Sequence, residues 1–174
     1  AILSSNPEAD KLSGEWTLDG TSLFLVRDGF AYDDKAARIL RRDPATGSER
    51  EIYRAASGED IANLALSPDG LDLAFSVGSP YGNRPGDRLE IVPVRGGTAR
   101  EILRLNGRES LRGEGLVWTP DGQNLLFVKA IEASRQALTL ELWRVSSNGH
   151  EIQKVGLLAS DTAFGAGVSG LRLH

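Results

Sequence analysis

Apolar residues alternate with single intervening positions at Trp16 and Leu18, at Leu64 and Leu66, and at Leu116 and Trp118. A period of two predicts a strand with one face turned inward. A few residues later, Leu23-Phe24-Leu25, Leu73-Ala74-Phe75 and Leu125-Leu126-Phe127 are apolar at every position, as a strand covered on both faces requires. Layers must therefore stack on either side of each sheet. Between the two runs stand Asp19-Gly20, Pro68-Asp69-Gly70 and Pro120-Asp121-Gly122. Pro presets φ, Asp bonds the local backbone and Gly takes φ > 0, so each Asp-Gly pair closes a hairpin.

The Asp-Gly pairs recur at intervals of 50 and 52 residues, a repeat of blade size. A second hairpin follows in each unit: Ala37 to Arg54, Arg88 to Arg104 and Leu140 to Val155 each place a strand-like run on both sides of a turn at Gly47, Gly96-Gly97 or Gly149. Four short strands per unit predict an all-β chain, a β-propeller of four-stranded antiparallel blades. The blades are expected at about 13–54, 61–104 and 114–158. Trp16, Leu25, Leu66, Phe75, Trp118 and Phe127 should pack blade on blade, with Asp69, Gly70, Asp121 and Gly122 shaping the turns.

Aligned on the repeat, residues 1–5 match the outer strand of a preceding blade and 168–174 the inner strand of a following one. Three blades with a stray strand at each end do not close a ring of four to eight. The expectation is either a part of a longer propeller or a homodimer that closes the ring.

The Ser/Thr-Pro-Asp-Gly turn followed by Leu-x-Phe resembles the PD40 repeat of TolB-type propellers, found also in dipeptidyl-peptidase-IV-like enzymes and bacterial sensor proteins. The first unit departs from it, with Leu18 where Pro68 and Pro120 stand. The resemblance implies a propeller, and a periplasmic or extracellular setting. It also frames three roles: a non-catalytic scaffold binding another protein or an envelope ligand, part of the gating propeller of a serine peptidase whose catalytic domain lies outside this sequence, or a sensor propeller of a regulatory protein.

Composition narrows the chemistry. The charged fraction is 25% with net charge −4, and Lys and Arg are scattered, so no electrostatic footprint for nucleic acid appears. Cysteine is absent, which removes disulfides, thiolate nucleophiles and Cys-ligated zinc. No run reaches the roughly 18 apolar residues of a membrane span. The two histidines, His150 and His174, are far apart in sequence. Asp28, Asp33 and Asp34 match no calcium-loop spacing, and Gly165 to Gly170 fits G-x-G-x-x-G but precedes a strand. No catalytic, cofactor or metal residue is assigned. The long connections, residues 27–37, 78–87 and 129–137, all leave the same strand of their units, and insertions on one face of a repeat array mark a binding face. Tyr32, Asp33, Asp34, Tyr81, Arg84 and Arg135 are the candidates there, mixing aromatic bodies with charged tips.

Overall fold

A computed structural model describes residues 14–27, 36–78, 87–134 and 137–163, and every regular element among them is a β-strand. The first sheet runs β1 (Gly14–Trp16), β2 (Leu23–Arg27), β3 (Arg38–Arg42) and β4 (Glu49–Arg54). The second holds β5 (Asp60–Leu66), β6 (Asp72–Gly78), β7 (Arg88–Pro93) and β8 (Arg100–Arg104). The third holds β9 (Glu109–Trp118), β10 (Asn124–Ser134), β11 (Ala137–Ser146) and β12 (Ile152–Ala163). Strand order follows chain order in all three, and every pairing is antiparallel. The third sheet extends beyond the expected 114–158 at both ends. Residues 1–5 and 168–174 lie outside the described residues.

Each Asp-Gly hairpin is locked by a hydroxyl and a carboxylate. Ser67 donates its Oγ–H to Asp69 Oδ1 (2.6 Å), and the same oxygen accepts from Leu71 N (3.0 Å). Ser67 Oγ accepts in turn from Asp72 N at 2.9 Å. Gly70 and Gly122 take φ of 72° and 68°, which an L side chain resists. The first hairpin forms identically without proline, Thr17 donating to Asp19 at 2.6 Å, so the hydroxyl–carboxylate pair rather than Pro holds the turn. That hydroxyl, joined by the amide and hydroxyl of Thr21, lowers the Asp19 carboxyl to about 2. Ser146 and Asn148 build the same turn between β11 and β12.

The sheets stack face to face in chain order. Trp16, Leu23 and Leu25 share one side of the first sheet, as Leu66, Leu73 and Phe75 do in the second, and Trp118, Leu125 and Phe127 in the third. In the second and third sheets this side meets the preceding sheet. Leu73 and Phe75 are fully buried with Phe24, Val26 and Ile39 of the first sheet, and Leu66 packs against that cluster. Trp118, Leu125 and Phe127 are buried with Ala65, Ala74 and Leu89 of the second, the Trp118 indole donating to the Ala65 carbonyl at 2.9 Å. Trp16, expected to pack blade on blade, is instead 50% exposed, and Leu25 is only half-buried. The reason is positional: their side faces away from the second sheet, and no other sheet among the described residues covers it.

Candidate functional site

In this meander the hairpins β1–β2 and β3–β4, and their repeats, lie at one end of the sheets, while connections β2–β3 and β4–β5 lie at the other. The second end carries the polar geometry. At its inner edge the alternation of β5 breaks: Ala62 pairs with Ser76 but Ala65 with Ala74, so one extra residue bulges out. Asn63 takes up the bulge at φ 55°, a left-handed conformation that Asn tolerates better than other L residues. Its Nδ2 donates to Ser76 Oγ (3.0 Å), which donates to the Ala62 carbonyl (3.1 Å). Nearby, Asp87 accepts from the Leu111 amide of β9 at 2.8 Å, tying the second blade to the third. A Cβ on Gly78 would stand 2.1 Å from Asp87 Oδ1, so only glycine leaves room for that carboxylate.

These groups line an open cavity of about 130 Å³ between the second and third blades, walled by Asp60, Ala62, Asn63, Ser76, Gly78, Asp87 and Leu111. Small-molecule sites commonly measure about 300–1,000 Å³. This one fits the tip of a side chain or a few waters, offering carboxylate and carboxamide groups to it.

Two ion networks brace the same end. Between the first and second blades Arg88 reaches both oxygens of Glu59 (2.6 and 2.8 Å) and also Glu90. The Arg88 hydrogen bond lowers Glu59 from the ordinary carboxylate range, and Glu59 raises Arg88. Burial, reinforced by the Glu90 charge, pushes Tyr53 up to about 12. Within the third blade Lys129 of β10 pairs with Glu109 of β9 at 2.7 Å and lies 3.7 Å over the Trp143 ring of β11. Burial tends to raise Glu141, but hydrogen bonds from Lys154 and Trp143 outweigh it and leave it lowered. Glu59 and Glu109 hold equivalent places, each accepting from a backbone amide three residues earlier. Removing one partner from such a largely buried pair costs more than the pair contributes, because the other charge is left buried without its counter-ion.

The candidates Tyr32, Asp33, Asp34, Tyr81, Arg84 and Arg135 lie outside the described residues, as do Asp28, His174 and Gly165 to Gly170. His150 is an exposed turn residue. Among the described residues no group of three or more His, Cys, Asp or Glu side chains is placed to hold a metal ion, and no helix is long and apolar enough to cross a membrane. Sequence reasoning missed Asn63, Ser76 and Asp87. A signal existed: Ile61 and Leu64 both enter the core although they are three residues apart, which strict alternation forbids.

No known family's sequence profile matches the chain, and neither does any curated protein sequence. Solved structures do. A putative TolB from Agrobacterium tumefaciens superposes with TM-score 0.63 at 17% identity, covering 88% of this chain and 53% of that one. The blades have the β-propeller fold. An oligogalacturonate lyase in complex with manganese superposes with TM-score 0.62 at 18% identity over 83% of this chain and 42% of that one. Dipeptidyl peptidase 4 from Porphyromonas gingivalis gives 0.58 at 11% identity over 82% and 25%. At these identities the likeness is one of fold. The chain spans about half the TolB chain or less of the others, and the neighbours include enzymes as well as TolB.

Proposed function

We propose that this TolB-like propeller segment is a non-catalytic binding scaffold, which takes another protein on the end carrying the β2–β3 and β4–β5 connections. The cavity between the second and third blades carries this reading. It is too small for a drug-sized molecule, is lined by the polar side chains of Asp60, Asn63, Ser76 and Asp87, and includes Gly78 and Asp87, the described residues that flank connection 79–86. A polar side chain of the partner would enter it while the connections supply the surrounding contact.

A gating propeller of a serine peptidase is the second reading, supported by the likeness to a dipeptidyl peptidase and to an acylaminoacyl peptidase. A G-x-S-x-G segment in adjoining sequence would distinguish it. The binding reading is tested by selecting displayed peptides against the native chain and measuring their affinity for Ala62→Phe, which fills the cavity. Binding should weaken at least roughly tenfold, the loss of one well-placed contact. Peptides that bind both forms equally would refute it.

A further inference from the structure

The outer strand of each blade carries a bulged apolar residue, repeated at the same point of all three blades. Ile39 pairs with Tyr53 and Leu40 with Glu51, leaving Ile52 extra. In the second blade Ile102 is extra in the same way, and in the third Val155 is. Ile52 and Ile102 are each 5% exposed, whereas Val155 is 53% exposed. The difference lies in what covers them. The Gly96 turn of the second blade sits over Ile52, with a Cβ position 3.9 Å from its carbonyl oxygen, and the Gly149 turn of the third sits over Ile102 at 2.8 Å. Arginines stitch each contact: Arg50 donates to the Val94 carbonyl at 3.4 Å and Arg100 to the Ser147 carbonyl at 2.7 Å.

This repeated contact has two unused halves in one chain. Among the described residues Val155 has no glycine turn over it, and Gly47, the first blade's equivalent of Gly96 and Gly149, has nothing within 4 Å of its Cβ position. The same two ends carry further apolar exposure: Ile152 (47%) and Leu157 (58%) on β12, and Trp16 (50%) on β1. Trp16 is the counterpart of Trp118, whose indole reaches into the preceding blade. Register shifts along β12 break its ladder at three places, which discourages simple strand addition and favours contact through the face.

We propose that the outer strand of the third blade docks the first blade of a second copy of this chain, head to tail, with Val155 beneath the partner's Gly47 turn. Gln153 occupies the position of Arg50 and Arg100, so its amide is placed to donate to the partner's Ala45 carbonyl. The two surfaces differ, so the contact is heterologous, and two copies satisfy both ends by forming it twice.

The test is sedimentation of the native chain and of Val155→Arg and Trp16→Lys, both at exposed positions where the isolated fold tolerates charge. The native chain should run at twice 18.7 kDa, and each variant at the single mass with its strand content by circular dichroism retained and a thermal midpoint below the native one by the lost association energy. Mixing the two variants should restore a dimer, because the first retains an intact first blade and the second an intact outer strand. A monomeric native chain, a dimer indifferent to both substitutions, or a mixture that stays monomeric would overturn the proposal. A monomer would point instead to further blades of a longer chain as the covering element.

Discussion

Replacing Gly149 by alanine tests whether the blades touch as closely as their backbones indicate. Gly149 has φ 78°, and its added Cβ would lie 2.8 Å from the Ile102 carbonyl oxygen, 3.1 Å from its Cα and 3.3 Å from its carbonyl carbon. All three atoms are backbone of the neighbouring blade, so no side chain can swing aside. Two costs add. Holding alanine left-handed costs roughly 1–2 kcal/mol. Forcing a methyl group into a filled contact costs about 1–3 kcal/mol more. Gly96→Ala and Gly20→Ala carry only the first cost: their φ values are 81° and 68°, the nearest atom to Gly96 is at 3.9 Å, and Gly20 has none within 4 Å. Urea unfolding of the three variants against the native chain measures the difference. Gly149→Ala should lose about 1–3 kcal/mol more than either control, at unchanged m-value. Equal losses in all three, within about 0.5 kcal/mol, would refute the close packing of the third blade on the second.

Three further outcomes follow from the same geometry. Asp19, Asp69 and Asp121 are lowered by hydrogen bonds from Thr17, Ser67 and Thr119, so their stabilisation is present above the unfolded carboxylate value near 4 and is lost as pH falls below it, for Asp19 down to about 2. Thermal midpoints taken across that range should fall, and Ser67→Ala should flatten the slope. Tyr53, raised to about 12, ionises later in the folded chain than in the unfolded one, so stability holds below about pH 10 and drops between about 10 and 12. Tyr53→Phe should reduce that alkaline loss in a pH series of melts. At the cavity, Asn63→Gly keeps the φ of 55° without strain and should cost only the lost hydrogen bond to Ser76, about 0.5–1.5 kcal/mol. Asn63→Val should cost roughly 1–3 kcal/mol, because a β-branched residue resists that conformation.

The strands and hairpins were readable because two periods coincide, the alternation within a strand and the recurrence of Asp-Gly at blade spacing. Pro68-Asp69-Gly70 announces a turn on its own. Thr17-Leu18-Asp19-Gly20 does so only through the Thr–Asp pair, which composition rules for turns underweight. The direction each sheet faces was not readable. Leu25 and Phe75 hold the same repeat position, yet Phe75 is fully buried under the first blade while Leu25 is half-buried, since burial depends on which neighbour exists. The cavity was hidden for another reason: Asp60, Ser76, Asp87 and Leu111 are brought together by a one-residue bulge and by stacking, neither of which spacing encodes. Glu59 and Glu109 hold equivalent places, yet a substitution of partner separates them, Arg88 on β7 in one blade and Lys129 on β10 in the next. A search for repeated residues passes over such a substitution.

Blade-on-blade stacking is tested most directly by two of the three tryptophans. Trp118 donates its indole N–H to the Ala65 carbonyl of the neighbouring blade in a buried site, whereas Trp16 is 50% exposed. Hydrogen exchange of the indole protons by NMR should show the Trp118 proton protected nearly to the level of global unfolding and the Trp16 proton exchanging close to the free rate. A Trp118 indole that exchanges as fast as Trp16 would contradict the stacking of the third blade on the second.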